Sequence, residues 1–472
     1  MLTIQDEGSR LCDGLTRREW LHAGSLGLFG LSLPALLATR KARAASVDGE
    51  RAFGQAKACI VLFLMGGPPQ HETWDPKPAA PVEIRGDLRP IPSAVPGLWV
   101  GELMPQVARQ ADKCCVLRAV STNDNAHSSS GYWMLTGYPH QPTNVENSKP
   151  GAPNNWPCVG AVVRKLRQAQ GTRAAGLPAA ITLPEHIWNT GGITWPGQDG
   201  GFLGKAADPW LMLCDPSQAN FQIPELDLPR DVPPLRLQAR QSLLEAVNWH
   251  WETAERSSTL SRYDTLSQQA FDVLRSPKAR QAFNLYQEPP AVRDRYGRSR
   301  FGQSVLLARR LVEAGVSLVQ VNWTRTKEDS DTNPVWDTHA KNSERLRTAL
   351  MPPMDQAYSA LLDDLSQRGL LEETLVIWMG EFGRTPKING SGGRDHWGHV
   401  FSIALAGGGV RGGQVLGASD RIGAYPTEGL VRPQDLTATL FHCLGYRPDA
   451  EFRDNLGRPL LISRGEVIRQ IF

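Results

Sequence analysis

Eight consecutive apolar residues, Ala58 to Met65, stop abruptly at Gly66-Gly67-Pro68-Pro69. A run this short, closed by residues that break regular structure, forms a buried strand rather than a helix. A strand with no polar side needs cover on both faces, as in a parallel sheet sandwiched by helices. Thr374 to Met379 and Phe401 to Ala406 repeat the pattern, and Cys114 to Val120, Ala179 to Leu183 and Val316 to Val321 are further strand candidates. Between them lie helical stretches. One begins near Tyr132, Ser304 to Ala314 is amphipathic and stopped by Gly315, and Leu346 to Arg368 is interrupted at Pro352-Pro353 and ended by Gly369. This alternation predicts an α/β fold, a mostly parallel central sheet with helices on both faces. From about 205 to 290 the character changes to charged helical sequence such as Arg236 to Glu255, which reads as an inserted helical lobe.

The first 45 or so residues read differently. Thr16-Arg17-Arg18-Glu19-Trp20-Leu21 pairs two arginines, an apolar glycine-rich run follows from Ala23 to Leu37, and Ala42-Arg43-Ala44 supplies a small-residue cleavage site. That order predicts a twin-arginine signal peptide removed after Ala44, and hence a periplasmic or secreted protein handled by the twin-arginine export machinery. The run is shorter than the roughly 20 apolar residues a membrane span needs, and no later stretch is long enough, so no stable span is expected. The net charge of +3 lies largely in the leader, which argues against nucleic acid as a partner. The six cysteines beyond Cys12 lack CxxC spacing, so a zinc knuckle is not expected, while a disulfide stays open.

In sheets of this kind ligands gather beyond the carboxyl ends of the strands, and polar groups collect there. His71 and Asp75 follow the first run. His127 precedes Ser128-Ser129-Ser130, and Asp337 and His339 lie beyond the Val316 run. Glu381 and Arg384 follow the Thr374 run directly, and Arg394, His396 and His399 stand in the glycine-rich loop after it. Five of the ten histidines thus sit at strand ends near carboxylates or serines. Mixed histidine and carboxylate sets suit zinc, manganese or iron, carboxylate-dominated ones calcium or magnesium. Two divalent ions clamping a phosphoryl-type group are a recurrent hydrolytic arrangement.

These motifs resemble the bacterial family of domain of unknown function 1501, a branch of the alkaline phosphatase and sulfatase superfamily. The resemblance runs from Lys57 to near the C-terminus. It rests on Gly66-Gly67 with His71, Trp74 and Asp75; Leu135 to His140; Trp336-Asp337-Thr338-His339; Gly380 to Pro386; and Arg394-Asp395-His396-Trp397. It implies that residues 46–472 form an alkaline phosphatase-like hydrolase domain with a two-metal site. Asp75 or His71 would match the first-strand ligand, Asp337 and His339 a ligand pair, and His396 or His399 a late histidine. Glu381 falls where the superfamily has an aspartate, and Phe382 where it has a histidine. Exported relatives of this superfamily act on phosphate or sulfate esters, so a small-molecule or polysaccharide ester is the implied substrate.

The nucleophile position departs from the sulfatase pattern. Sulfatases place a cysteine or serine nine residues before the threonine of Leu-Thr-Gly, and that count from Thr136 lands on His127. Three roles stay open for His127: a metal ligand with water as nucleophile, a nitrogen nucleophile, or a general acid or base. The neighbouring serines offer a hydroxyl alternative. Arg384 and Arg394 could hold an anion through paired hydrogen bonds. Trp74, Trp133, Trp336 and Trp397 lie near these residues, and aromatic faces there would suit stacking on a sugar. The contrasting reading is a protein that keeps the fold for binding and has lost the chemistry.

Overall fold

The computed structural model describes residues 52–171, 176–223, 273–274, 276–326, 329, 335–454 and 456–472. The expected leader and most of the expected helical lobe lie outside the described residues. The rest forms a compact unit from Ala52 to Phe472. Its core is a sheet of eight strands: β1 (Ala58–Leu64), β2 (Cys114–Val120), β3 (Ala180–Leu183), β4 (Trp210–Leu211), β5 (Leu318–Trp323), β6 (Thr374–Met379), β7 (Phe401–Ala406) and β8 (Gln414–Leu416). Their order across the sheet is β8-β2-β7-β6-β1-β5-β3-β4. All neighbours are parallel except at β7, which runs antiparallel to both β6 and β2. The sheet is therefore mixed and mostly parallel, as the apolar runs predict.

Both β1 and β6 are buried at every position, which requires cover on both faces. Five longer helices contribute: α1 (His127–Thr136), α2 (Val159–Ala169), α3 (Arg300–Glu313), α4 (Met351–Gln367) and α5 (Pro433–Cys443). Residues Val61, Leu318, Ile377 and Met379 of the sheet share a small cavity with Met134 and Leu135 of α1, Val159 of α2 and Leu436 and Leu440 of α5. Helix α3 packs on β1, β5 and α4. Ser299 starts α3 by accepting the amide of Gly302 through its hydroxyl, so the helix begins four residues before Ser304, where the apolar periodicity first shows. The prolines expected to interrupt the long helix instead sit at the start of α4, where a missing amide costs nothing, and one wide π-type turn at Leu346–Leu350 precedes them. All six described cysteines are free thiols. No helix among the described residues is long and apolar enough to cross a membrane.

The direction of β7 decides where the site forms. The carboxyl ends of β1, β2, β5 and β6 share one edge of the sheet. Because β7 runs the other way, the residues leading into it, rather than those leaving it, lie at that same edge. The short ribbon that pairs Gly383–Arg384 with His396–Trp397 precedes β7, so it joins the loops after the four parallel strands.

Candidate metal centre

Asp337, in the loop after β5, is the hub. Its Oδ1 lies 2.5 Å from Arg384 Nη2, 2.9 Å from His339 Nε2 and 3.0 Å from His396 Nε2. Its Oδ2 lies 3.1 Å from Nε2 of His127, the first residue of α1. His339 Nε2 and His396 Nε2 are themselves 3.0 Å apart. Gly66 lets these loops close up. A Cβ built on it would stand 2.3 Å from the Asp337 nitrogen, and its φ of +109° is one that side chains disfavour.

Each imidazole is fixed from behind through its other nitrogen. His127 Nδ1 is 2.6 Å from Glu381 Oε1, His339 Nδ1 is 2.9 Å from Asp395 Oδ1, and His396 Nδ1 is 2.7 Å from the carbonyl oxygen of Asn125. A carbonyl can only accept, so Nδ1 of His396 carries the proton. Burial, with His127 and Arg384 adding to it, lowers the pKa of His396 to about 4, leaving the ring neutral near pH 7. Its Nε2 therefore turns a lone pair toward a carboxylate oxygen and a second imidazole nitrogen. Such a convergence of lone pairs is repulsive unless a shared proton or a cation sits among them, and rings held by a carboxylate or carbonyl on the far nitrogen are the usual setting of metal-ligating histidines.

The other shifts reflect the same crowding. Burial opposes ionisation of Asp337, yet Arg384 and then His127 hold its carboxyl well below the usual range. Burial pulls His127 down, but Asp337 and Glu381 outweigh it and raise the ring to about 10. His339 is raised chiefly by its hydrogen bond to Asp337. Ligand atoms of His127, Asp337 and His396 all lie within 4.8 Å of one another, and His339 adjoins two of them. The contacts of 2.9–3.1 Å are close to the about 3.3 Å edge of a tetrahedron with zinc–nitrogen arms. The donor set thus fits a divalent ion, and a nitrogen-rich one fits zinc or manganese better than calcium.

Of the residues expected from sequence, His127, Asp337, His339, Glu381, Arg384 and His396 come together here. Glu381 backs His127, accepts the Gly66 amide at 2.9 Å and keeps Oε2 buried without a hydrogen-bond partner. Arg384 is buried against Asp337 and the carbonyls of Gly66, Gly67 and Arg394. The structure places the others elsewhere. His71 Nε2 meets the carbonyl of Ile422 at 2.8 Å, and burial together with Arg394 lowers it to about 3. Asp75 pairs with Lys77 and Arg118 and accepts a hydrogen bond from Ser419. His399 lies by Asn123, Trp397 and Tyr425. Arg394 is buried and spent on Glu72 and on carbonyls of Ile84, Thr385 and Pro386.

The serines are occupied as well. Ser128 Oγ donates to the Val145 carbonyl, Ser129 Oγ accepts the Val145 amide, and Ser130 Oγ donates to the Glu381 carbonyl. Trp74 and Trp336 are wholly buried core residues with no face to offer a sugar, while Trp133 and Trp397 are partly exposed. Two contributors were not singled out from sequence, and the packing of a third was not foreseen. Asp395 and the Asn125 carbonyl fix two imidazoles. Phe382, standing where the superfamily has a histidine, packs its ring 4.9 Å from His127 and 4.6 Å from His396.

The profile of a family described as "Protein of unknown function (DUF1501)" matches residues 56–472. No curated protein matches the chain in sequence. Solved structures give distant likenesses. The PsFucS1 sulfatase from Pseudoalteromonas sp. is 13% identical, with a TM-score of 0.36 over 87% of this chain and 70% of that one. The phosphonate monoester hydrolase SpPMH from Silicibacter pomeroyi is 15% identical, with a TM-score of 0.35 over 87% and 75%. A protein in the alkaline phosphatase superfamily from Vibrio parahaemolyticus is 10% identical, with a TM-score of 0.36 over 84% and 68%. At such values the likenesses carry no argument about chemistry.

Proposed function

As this chain belongs to the DUF1501 family and gathers three imidazoles around one buried carboxylate, we propose that it is a metal-dependent hydrolase of phosphate or sulfate esters. The observation that carries this reading is the convergence of Nε2 of His339 and Nε2 of His396 on one Asp337 oxygen, with His127 on the second. His127, Asp337, His339 and His396 would hold the ion. A divalent ion bound there polarises an ester oxygen and makes water a stronger nucleophile. Glu381, Asp395 and the Asn125 carbonyl keep the imidazoles in the ligating tautomer. Arg384 holds Asp337 in place and ionised. The serine hydroxyls are bonded to backbone groups and His127 is assigned to the ion, which supports water as the attacking group.

The four groups support one ion. The second ion expected from sequence would need His71 or Asp75, and both are committed to other partners. The twin-arginine leader expected over residues 1 to about 45 would place the enzyme outside the cytoplasm, acting on a small-molecule or polysaccharide ester. Metal analysis of protein purified without chelators tests the reading. About one equivalent of zinc or manganese should be found, and it should be lost in Asp337→Ala. Hydrolysis of aryl phosphates, phosphodiesters or aryl sulfates should then depend on that metal and fall in His127→Ala. Protein that takes up no metal under any loading condition would overturn the proposal.

A further inference from the structure

His127 enters the centre as the first residue of α1, and its two ring nitrogens meet Glu381 and Asp337. Contacts at two points leave an imidazole free to tilt about the line between them. A flat aromatic face laid against the ring removes that freedom. Trp195 supplies such a face. Its indole is wholly buried and stacks on His127, with ring centroids 5.8 Å apart and planes 26° apart.

The seat of the indole is built into the helix. Gly131 stands four residues after His127, on the same face of α1. A Cβ at Gly131 would lie 2.4 Å from two carbons of the Trp195 ring, so only glycine leaves the indole room against the helix. At its other end, Trp195 Nε1 donates to Asn189 Oδ1 at 2.6 Å, within a short hairpin that pairs Trp188–Asn189 with Ile193–Thr194. Asn189 Nδ2 donates in turn to Glu146 Oε1, and Glu146 Oε2 accepts the His127 backbone amide at 2.7 Å. The contacts therefore run from the His127 ring, through the hairpin, back to the His127 backbone.

We propose, resting on the hydrolase reading above, that Trp195 is a positioning residue of the metal centre: its stacked indole sets the plane of the His127 ring for the ion, and Asn189 and Glu146 anchor that indole to the start of α1. Wholly buried, Trp195 acts through His127 and not on a substrate. A ligand ring held in one plane before the ion arrives binds more tightly than one that must be ordered by it.

The test is a calorimetric zinc titration of the full-length protein. Trp195→Leu removes the flat face and should weaken zinc about tenfold, the scale of other supports behind ligating histidines. Trp195→Phe keeps a flat face without the indole nitrogen and should restore affinity to within about threefold of wild type. In cobalt-loaded protein the visible bands, which report ligand geometry, should shift in Trp195→Leu and hold in Trp195→Phe. Should Trp195→Leu fail to fold, Asn189→Ala carries the test, because it leaves the indole and removes its anchor; zinc should weaken about threefold. Wild-type zinc affinity in these variants, or equal losses in Trp195→Leu and Trp195→Phe, would overturn the positioning role and leave the hydrolase reading standing. Wild-type protein that binds no zinc would overturn the hydrolase reading, and this role with it.

Discussion

Asp395 shows how a residue at the rim can govern the centre. Its side chain is about half exposed, yet it fixes the tautomer of His339. Asp395→Asn should weaken metal affinity about 10- to 100-fold in a competitive metal titration. The same variant should leave the unfolding free energy within about 0.5 kcal/mol of wild type, because the contact is solvent-facing. An unchanged metal affinity would show that His339 is not a ligand. The sequence marks Asp395 only as a neighbour of His396. Its actual partner is His339, and no spacing rule announces a contact made across two loops. The choice between His396 and His399 was likewise open in sequence. The ribbon sets His396 opposite Arg384 and so beside Asp337, while His399 lies by Asn123. Phe382 marks a third limit, since its place among the ligand motifs does not reveal that it packs on two of the imidazoles.

Among the elements, the central strands were the most legible. Runs such as TLVIWM are buried at every position, and that pattern survives in one dimension. Edge strands β4 and β8 were not, being two and three residues long and only partly buried. The joint between α3 and α4 was also hidden. Arg309 is wholly buried between Glu288 at 2.8 Å, Glu313 at 2.7 Å and Asp364 at 2.9 Å. Asp364→Ala would leave that guanidinium short of a partner and should cost about 3–5 kcal/mol in denaturant unfolding. The pH dependence follows from the same joint. Burial alone would raise Asp364 and Glu288, but their arginine partners lower both below their ordinary values. A carboxylate whose folded pKa is depressed stabilises the fold above its unfolded pKa and loses that contribution as pH falls through the folded one. The urea midpoint should therefore hold from neutrality to about pH 5 and fall below about pH 4, with a smaller fall in Asp364→Asn. At the end of β1, Gly66→Ala should cost at least about 1–3 kcal/mol through its backbone angle, before the collision with Asp337 is counted. A thermal melt close to wild type would contradict that geometry.

Across the whole molecule the ion would act as a clamp. His127, Asp337, His339 and His396 come from loops at the ends of three strands and the start of a fourth, and only the folded chain brings them together. Metal at about 100 times its dissociation constant should stabilise the native state by about 2.7 kcal/mol. The corresponding rise in melting temperature should be reversed by chelator and absent in Asp337→Ala. The reversed strand β7 adds a consequence for biosynthesis. It lies between β6 and β2, so β2, and α1 after it, cannot join the rest of the sheet until the ribosome has delivered Phe401–Ala406. The segment bearing His396 emerges just before β7 does. While the chain is being made, His127 waits on a piece of sheet with no neighbour to dock against, and the last strand to enter the middle of the sheet brings His396 with it.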